Sequence, residues 1–197
     1  SSLSALTALQ QLYLDTNALN GTIPDDLGLL RNLTYLSLYN NSLTGTIPAS
    51  LGQLTALGTL SLRENALTGS IPSALSELKA LKTLDLSVNE VTGTIPSSIG
   101  QLANMFEFRV NHNPLLSGTI PSEIANLRSI AVAWFHNTSM TGTVPLCSPS
   151  TNLSLNWWLT AWRLIIRAAR TAVQRHSIEF RSLTFVLKQR YHALLKS

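Results

Sequence analysis

The chain has 197 residues, 45% of them hydrophobic and only 12% charged, with a formal net charge of +4. Its single cysteine excludes a disulfide framework and a cysteine-rich zinc site, and its four histidines form no HExxH motif, which argues against a metalloenzyme. No apolar run reaches the roughly 18 residues of a transmembrane helix.

The charge is divided between two parts of the chain. Residues 1–150 hold six basic and nine acidic residues, whereas residues 151–197 hold eight basic residues and one acidic residue. The high overall pI therefore belongs to the last 47 residues, which predict a basic tail.

A repeat of 24 residues organises the chain from its start to about residue 146. Glycines recur every 24 or 25 residues, and each is followed three residues later by a proline. The glycines are Gly21, Gly45, Gly69, Gly93, Gly118 and Gly142. A fixed period of this length is typical of solenoid proteins, in which each unit buries its apolar side chains against the next.

One unit, LTYLSLYNNSLTGTIPASLGQLTA, runs from Leu33 to Ala56. Its alternating Leu36 and Leu38 predict a short strand with one buried face. The Ile-Pro pair predicts an extended segment, and Leu51 and Leu54 then predict a short helical or 3₁₀ return.

An asparagine follows each predicted strand. We expect its side-chain amide to hydrogen-bond backbone groups of adjacent turns that a buried loop would otherwise leave unpaired. These ladder positions are Asn17, Asn41, Asn65, Asn89 and Asn113.

The pattern LxxLxLxxN followed by LxGxIPxxLxxLxx resembles the plant-type class of the leucine-rich-repeat family. Members occur in the extracellular parts of receptor-like kinases and receptor-like proteins, in polygalacturonase inhibitors and in algal proteins. The resemblance implies an α/β fold, a right-handed solenoid with a parallel β-sheet on its concave face and short 3₁₀ or helical returns. It also implies ligand binding on that face, with no catalysis and no cofactor.

The chain departs from the family pattern at several points. The paired cysteines of the usual N-terminal cap are missing, and one extra residue between Asn113 and Gly118 predicts a bulge. The last unit has Thr138 in place of the ladder asparagine, as is common in terminal repeats.

The strand register assigns alternate side chains to the open concave surface. Aromatic and charged residues gather at the two ends of this surface, and such side chains on a rigid sheet are frequent contacts in interfaces. The candidate ligand-binding residues are Tyr13, Tyr35, Tyr39, Arg63, Asp85, Arg109, His112, Trp134 and His136. His112 and His136 lie on neighbouring strands but lack a third ligand, so we predict no metal site.

Five Asn-x-Ser/Thr sequons fit a secreted or surface glycoprotein. They begin at Asn20, Asn32, Asn40, Asn137 and Asn152. We therefore expect an extracellular or cell-surface location, with any signal peptide outside this chain. Asn40 and Asn137 fall on the concave face, where a glycan would compete with a ligand.

The domain prediction is a solenoid of about six units over residues 1–146 and a basic helical tail over residues 147–197. Arg163, Arg167 and Arg170 recur at helical spacing in this tail. It is interpreted as a cap for the solenoid, as a mistranslated segment that leaves Cys147 without a partner, or as a helix that binds an anionic membrane surface or an acidic partner. A basic helix alone argues little for nucleic-acid binding.

These features favour a recognition module for a protein, peptide or glycan, placed in the extracellular part of a receptor-like protein. Two alternatives stay open. One is a secreted inhibitor of a wall-degrading glycosidase, and the other is a structural or adhesive surface protein.

Overall fold

The computed structural model describes residues 6–142 of the chain. The predicted domain boundary at residues 146 and 147 and the predicted helical tail lie outside these residues. Within residues 6–142, no helix combines the length and apolar character that crossing a membrane requires.

A six-stranded parallel sheet forms one face of the described solenoid. Each repeat contributes one three-residue strand, and neighbouring strands pair at equivalent repeat positions, for example Leu36 with Leu60. The strands are β1 (Gln11–Tyr13), β3 (Tyr35–Ser37), β5 (Thr59–Ser61), β6 (Thr83–Asp85), β7 (Glu107–Arg109) and β9 (Val132–Trp134). The leucine-rich-repeat solenoid and its parallel sheet are thus confirmed.

A second set of parallel pairings follows the ladder asparagines, where the sequence indicated only an extended segment. Its strands are β2 (Asn20–Thr22), β4 (Ser42–Thr44), β8 (Asn113–Thr119) and β10 (Thr138–Thr141). β2 pairs with β4 and β8 with β10, while single bridges such as Thr46 to Thr68 connect the units between them. The register shifts between Thr138 and Ser139 against β8, which confirms the bulge that the extra residue predicted.

Short 3₁₀ turns form the return segments, as the spacing predicted. They span Asp25–Leu29, Ala49–Gln53, Ser73–Glu77, Ser97–Gln101 and Ser122–Asn126. Each begins directly after the proline of the repeat, whose backbone is extended; Pro48, for example, has φ −66° and ψ 134°. The proline ends the extended segment because its φ is fixed and it donates no hydrogen bond.

Leucines from strands and returns form one continuous core. Leu36, Leu51, Leu54, Leu60 and other repeat leucines have no exposed surface. No single unit encloses these side chains, so each depends on the units stacked on either side of it.

Candidate functional site

The concave surface is built from the side chains that point away from the leucine core. The strands of the six-stranded sheet place Tyr13, Tyr35, Asp85, Arg109 and Trp134 on this side, each at its predicted register position. The strands are short and regular, so the residues of one repeat position form a row that runs across the sheet.

The third residue after each strand of the six-stranded sheet turns the chain through a left-handed backbone conformation. The φ values lie between 53° and 58° for Thr16, Asn40, Glu64, Val88, His112 and Asn137. This conformation is costly for any residue other than glycine, and most so for a β-branched residue such as Val88. His112, Asn40 and Asn137 therefore lie on a corner of the solenoid rather than on a flat strand.

Tyrosines form the aromatic group at the N-terminal end of the concave surface. The rings of Tyr13 and Tyr35 stack with their centroids 4.5 Å apart and an interplanar angle of 29°. Tyr13 is 56% exposed. Burial, followed by the influence of Tyr13 and of the Asp15 carboxylate, raises the pKa of Tyr35 above its usual value.

Tyr39 belongs to a separate contact with the next repeat. The guanidinium carbon of Arg63 lies 5.5 Å from the centroid of the Tyr39 ring, within cation–π range. Arg63 is also paired with Glu64, with 2.6 Å between its Nη2 and Oε1 of Glu64. That hydrogen bond is the main cause of a raised pKa at Arg63.

Arg109 is the centre of the group at the C-terminal end. Its guanidinium lies over the Trp134 ring at 4.5 Å from the centroid. It pairs with Asp85 at 3.1 Å and with Glu107. Two carboxylates thus hold one cation against the indole, which fixes the position of this face of Trp134.

Asp85 differs from the expectation of an open, ligand-facing position. It is only 4% exposed, and its carboxylate accepts hydrogen bonds from the backbone and hydroxyl of Ser87 as well as from Arg109. Its short side chain lies below the longer arginine, so its role in this structure is to position Arg109.

His112 and His136 form the third contact group. Their rings meet edge to face with centroids 5.0 Å apart, and His136 also lies 6.0 Å from the Trp134 ring. Burial, and then the proximity of His112, lowers the pKa of His136. Asn111 Nδ2 lies 2.8 Å from Nδ1 of His112, and the buried Oδ1 of Asn111 has no hydrogen-bond partner among the described residues.

The ladder asparagines hold neighbouring turns together. Asn65 donates from Nδ2 to the carbonyls of Leu38 and Leu62, and its Oδ1 accepts from the backbone N–H of Leu43. Asn41, Asn89 and Asn113 repeat this arrangement. Among the described residues, Asn17 makes two local hydrogen bonds, to the carbonyls of Leu14 and Asp15.

The described sequons lie at exposed positions. Asn20 is in β2 and Asn32 precedes β3, both away from the six-stranded sheet. Asn40 and Asn137 are exposed at the left-handed corners. Asn152 lies outside the described residues.

Four side chains that shape these groups were not among the candidates from sequence. They are Asp15, Glu64, Glu107 and Asn111, each of which contacts or electrostatically affects a candidate residue. The repeat register was the signal that could have found them, because all four occupy concave or corner positions beside a candidate.

A metal site requires several acidic, histidine or cysteine side chains grouped around one point. No three His, Cys, Asp or Glu side chains of residues 6–142 are grouped so as to hold a metal ion. Three carboxylates of the concave groups are paired with arginines: Glu64 with Arg63, and Asp85 and Glu107 with Arg109.

Comparisons with known proteins agree with this geometry. Two leucine-rich-repeat family models match the chain, one over residues 55–115 and the other over residues 8–30 and 32–54. No curated protein is similar to the chain at a significant level.

Several solved structures of similar proteins are plant receptors. A plant peptide hormone receptor, RGFR1, in complex with RGF2 is 38% identical, with 71% of this chain and 22% of that chain covered and a TM-score of 0.70. The BIR3–SERK2 complex from Arabidopsis thaliana is 38% identical, with 67% of this chain and 69% of that chain covered and a TM-score of 0.58. A plant ice-binding protein is 35% identical, with 77% of this chain and 49% of that chain covered and a TM-score of 0.70.

The chain spans between 17% and 25% of the length of four of the receptor chains that it resembles. The repeats nevertheless align in sequence and in structure, and both family models match them. The chain therefore belongs to the leucine-rich-repeat family, in its plant-type class.

Proposed function

We propose that this chain is a non-catalytic recognition module that binds a peptide segment of a protein across its concave sheet, outside the cell. The observation that carries the proposal is the clustering of exposed Tyr13 with Tyr35 at one end of the sheet and of Trp134 with Arg109 at the other. One similar structure is a plant peptide hormone receptor in complex with RGF2, which supports the ligand class, and another is the ectodomain of a plant membrane receptor kinase, which supports the location.

The separation of the two groups sets the length of the ligand. Five strand spacings lie between β1 and β9, which amounts to about 24 Å at roughly 4.8 Å per spacing. An extended peptide covers about 3.3–3.6 Å per residue, so about seven residues reach from one group to the other. A peptide of this length lies across the strands and follows one row, contacting one side chain of that row in each repeat.

The proposal is tested by selecting peptides from a displayed random 12-residue library against the full chain. The affinity of the best peptide is then measured by calorimetry for Trp134→Ala and for Leu115→Ala, an exposed apolar residue of β8 outside the concave sheet. We expect Trp134→Ala to weaken binding at least about tenfold, a loss of about 1.4 kcal/mol, and Leu115→Ala to leave it unchanged. Equal effects of both variants, or no selected peptide, would refute the proposal.

A second candidate function rests on the hydroxyl side chains of the second set of pairings. Hydroxyl residues pair directly between neighbouring units: Thr22 with Thr44, Thr46 with Thr68, Ser70 with Thr92, and Thr119 with Thr141. Thr44, Thr68 and Thr141 point their hydroxyls toward equivalent glycine carbonyls at 3.3–3.4 Å. Such a regular surface of hydroxyl and methyl groups offers a repeating pattern to ordered water, and one similar structure is a plant ice-binding protein.

Ice binding is checked by growing ice crystals in the presence of the full chain. The candidate function predicts that ice crystals change shape and that recrystallisation slows. Thr94 is exposed and lies at the repeat position of Thr46, two units further on. Thr46→Tyr combined with Thr94→Tyr should abolish both effects. Trp134→Ala serves as the control because it alters the other face. Unaltered ice growth with the unmodified chain would remove this candidate and leave peptide recognition.

A further inference from the structure

The concave surface contains three places where an aromatic ring and a carboxylate lie together. At Tyr39 the ring and Glu64 share the guanidinium of Arg63, and at Trp134 the ring shares the guanidinium of Arg109 with Asp85 and Glu107. In both places the chain itself supplies the cation.

The third place is the stacked pair Tyr13 and Tyr35 with Asp15, which we call the tyrosine–aspartate site. The parallel hydrogen bonds continue past the end of β1, from the N–H of Leu14 to the carbonyl of Ser37 and from the N–H of Thr16 to that of Tyr39. Asp15, two residues beyond Tyr13, therefore projects from the same face of the sheet as Tyr13. Within residues 6–142, the Asp15 carboxylate accepts no hydrogen bond and forms no ion pair. Its electrostatic influence reaches Tyr35.

We infer that the tyrosine–aspartate site binds a cationic group of the ligand, a lysine or arginine side chain or a terminal ammonium, in the position that Arg63 and Arg109 occupy at the other two places. The inference rests on the proposed peptide recognition and names the chemistry of one end of the ligand.

The rings and the carboxylate attract a cation for independent reasons. The face of a tyrosine ring carries negative electrostatic potential, and a cation over an exposed ring gains about 0.5–1 kcal/mol. The Asp15 carboxylate adds a charge-assisted hydrogen bond. Tyr13 is 56% exposed, so its ring is open to a ligand without any rearrangement of the core.

The charge of the whole concave surface favours the same ligand. Its concave and corner positions hold four acidic residues, Asp15, Glu64, Asp85 and Glu107, against two basic residues, Arg63 and Arg109. A surface with this net negative charge attracts a basic ligand and disfavours an acidic one. Asp15 is the one of these four acidic residues that pairs with no cation among the described residues. A cation of the ligand therefore gains the most favourable electrostatic energy beside Asp15.

The site is tested with small cations on the full chain, independently of any selected peptide. Nα-acetyl-arginine amide, Nα-acetyl-lysine amide and alanine amide are titrated while the ring protons of Tyr13 and Tyr35 are followed by NMR. Nα-acetyl-citrulline amide is the uncharged match to the arginine probe. We expect saturable chemical-shift changes at the ring protons of both tyrosines with at least one cationic probe and none with the citrulline probe. Comparing the arginine and lysine probes with alanine amide then shows whether a side-chain cation or a terminal ammonium is preferred.

Variants locate the binding. Asp15→Asn should weaken binding of the cationic probe at least about threefold, and Tyr13→Leu should abolish the saturable shift of Tyr35 while keeping an apolar side chain. Asp25→Asn removes the same charge from a return turn and should have no effect. Added salt should weaken binding of the probe by the unmodified chain.

The outcomes separate this inference from the proposed function. Equal shifts with arginine and citrulline probes, or unchanged affinity in Asp15→Asn, would overturn the cation site even if peptides bind elsewhere on the sheet. Saturable cation binding without any selected peptide would keep the site and overturn peptide recognition.

Discussion

At the scale of single residues, the ladder asparagines show how one side chain connects two repeats. Asn89 is 5% exposed, its Oδ1 accepts from the backbone N–H of Leu67, and its Nδ2 donates to Leu62 and Leu86. The partners lie 22 residues before Asn89 in one case and 27 in another, so the amide joins turns that are not adjacent in sequence. A buried N–H without a partner costs free energy comparable to a lost hydrogen bond.

Asn89→Ala should lower the free energy of unfolding by about 3 kcal/mol, because it leaves the N–H of Leu67 buried without an acceptor. Asn17→Ala is the matched control, since Asn17 is exposed and makes two local contacts; it should cost less than about 1 kcal/mol. Urea unfolding followed by circular dichroism measures both. Equal losses would show that the ladder adds no stability beyond local turn contacts.

The histidine pair predicts a dependence of stability on pH. His136 has a lowered pKa in the fold, mainly through burial and then through His112, whereas its pKa in the unfolded chain is about 6.5. As pH falls below about 6.5, the unfolded state binds a proton that the folded state resists, so the free energy of unfolding decreases until the folded pKa is passed. Above about pH 7 the histidine is neutral in both states and contributes no such change.

The urea concentration at the unfolding midpoint should decrease when the pH is lowered from about 7.5 to about 5, and His136→Gln should make this decrease smaller. His112→Gln should reduce it by less, because it removes the smaller of the two causes and leaves the burial of His136 in place. A pH profile that neither substitution alters would show that other groups control the acid sensitivity.

At the scale of elements, the stacking of the 3₁₀ turns depends on close backbone contact. A Cβ placed on Gly52 would lie 2.3 Å from the carbonyl oxygen of Ala74 in the next turn, and the same distance is found between Gly28 and Ser50. Because the obstacle is backbone, it cannot rotate away as a side chain would. Three of the five described returns hold a glycine at this position, Gly28, Gly52 and Gly100, and in these the glycine permits the close approach of the next turn. The other two returns hold Ser76 and Ala125 there.

Gly52→Ala should destabilise the fold by about 1–3 kcal/mol or more, since the turns must separate to admit a methyl group. Gly58→Ala is the control: its Cβ would lie no closer than 3.4 Å to Thr34, and the expected change is within about 0.5 kcal/mol. Thermal melts of the two variants provide the comparison. A melting temperature for Gly52→Ala that matches the control would mean that the turns are not in close contact.

The elements differ in how far their sequence predicts them. The strands of the six-stranded sheet follow from alternating leucines, such as Leu36 and Leu38, whose period of two fixes both the strand and its buried face. The second set of pairings has no such alternation. Its segments, such as the one around Gly45, are rich in threonine and glycine and show no hydrophobic period that would predict a strand. Its strands form because neighbouring repeats place identical extended segments side by side.

The candidate site was predictable in position but not in its internal contacts. The register gives the row of each side chain, so Tyr13, Trp134 and His136 could be placed from sequence alone. The burial of Asp85 could not, because it depends on how Arg109 lies across the neighbouring strand to reach both Asp85 and the Trp134 ring. Side chains from different repeats compete for partners, and the repeat pattern contains no information on which pairing prevails.

At the scale of the whole molecule, contacts between elements join only neighbouring repeats in the described solenoid. Such an array is close to one-dimensional, and a change in one unit is felt mainly by the next. The tyrosine group on β1 and the Trp134 group on β9 lie about 24 Å apart across the sheet. They are therefore expected to contribute to ligand binding independently.

A peptide that spans both ends should show this independence in a double-mutant cycle. Tyr13→Ala and Trp134→Ala should each weaken its binding, and their effects on the binding free energy should add within about 0.5 kcal/mol, because the two side chains share no partner and lie well beyond contact distance.

Shortening the peptide then tests which part reaches which group. A peptide cut at the end that faces Trp134 should become insensitive to Trp134→Ala while keeping its full response to Tyr13→Ala. If the shortened peptide instead loses its response to Tyr13→Ala, or if the two substitutions couple by more than about 1 kcal/mol, the ligand does not lie across the strands as an extended segment. The geometry of the solenoid permits additive ends only for a ligand that follows the rows from one repeat to the next.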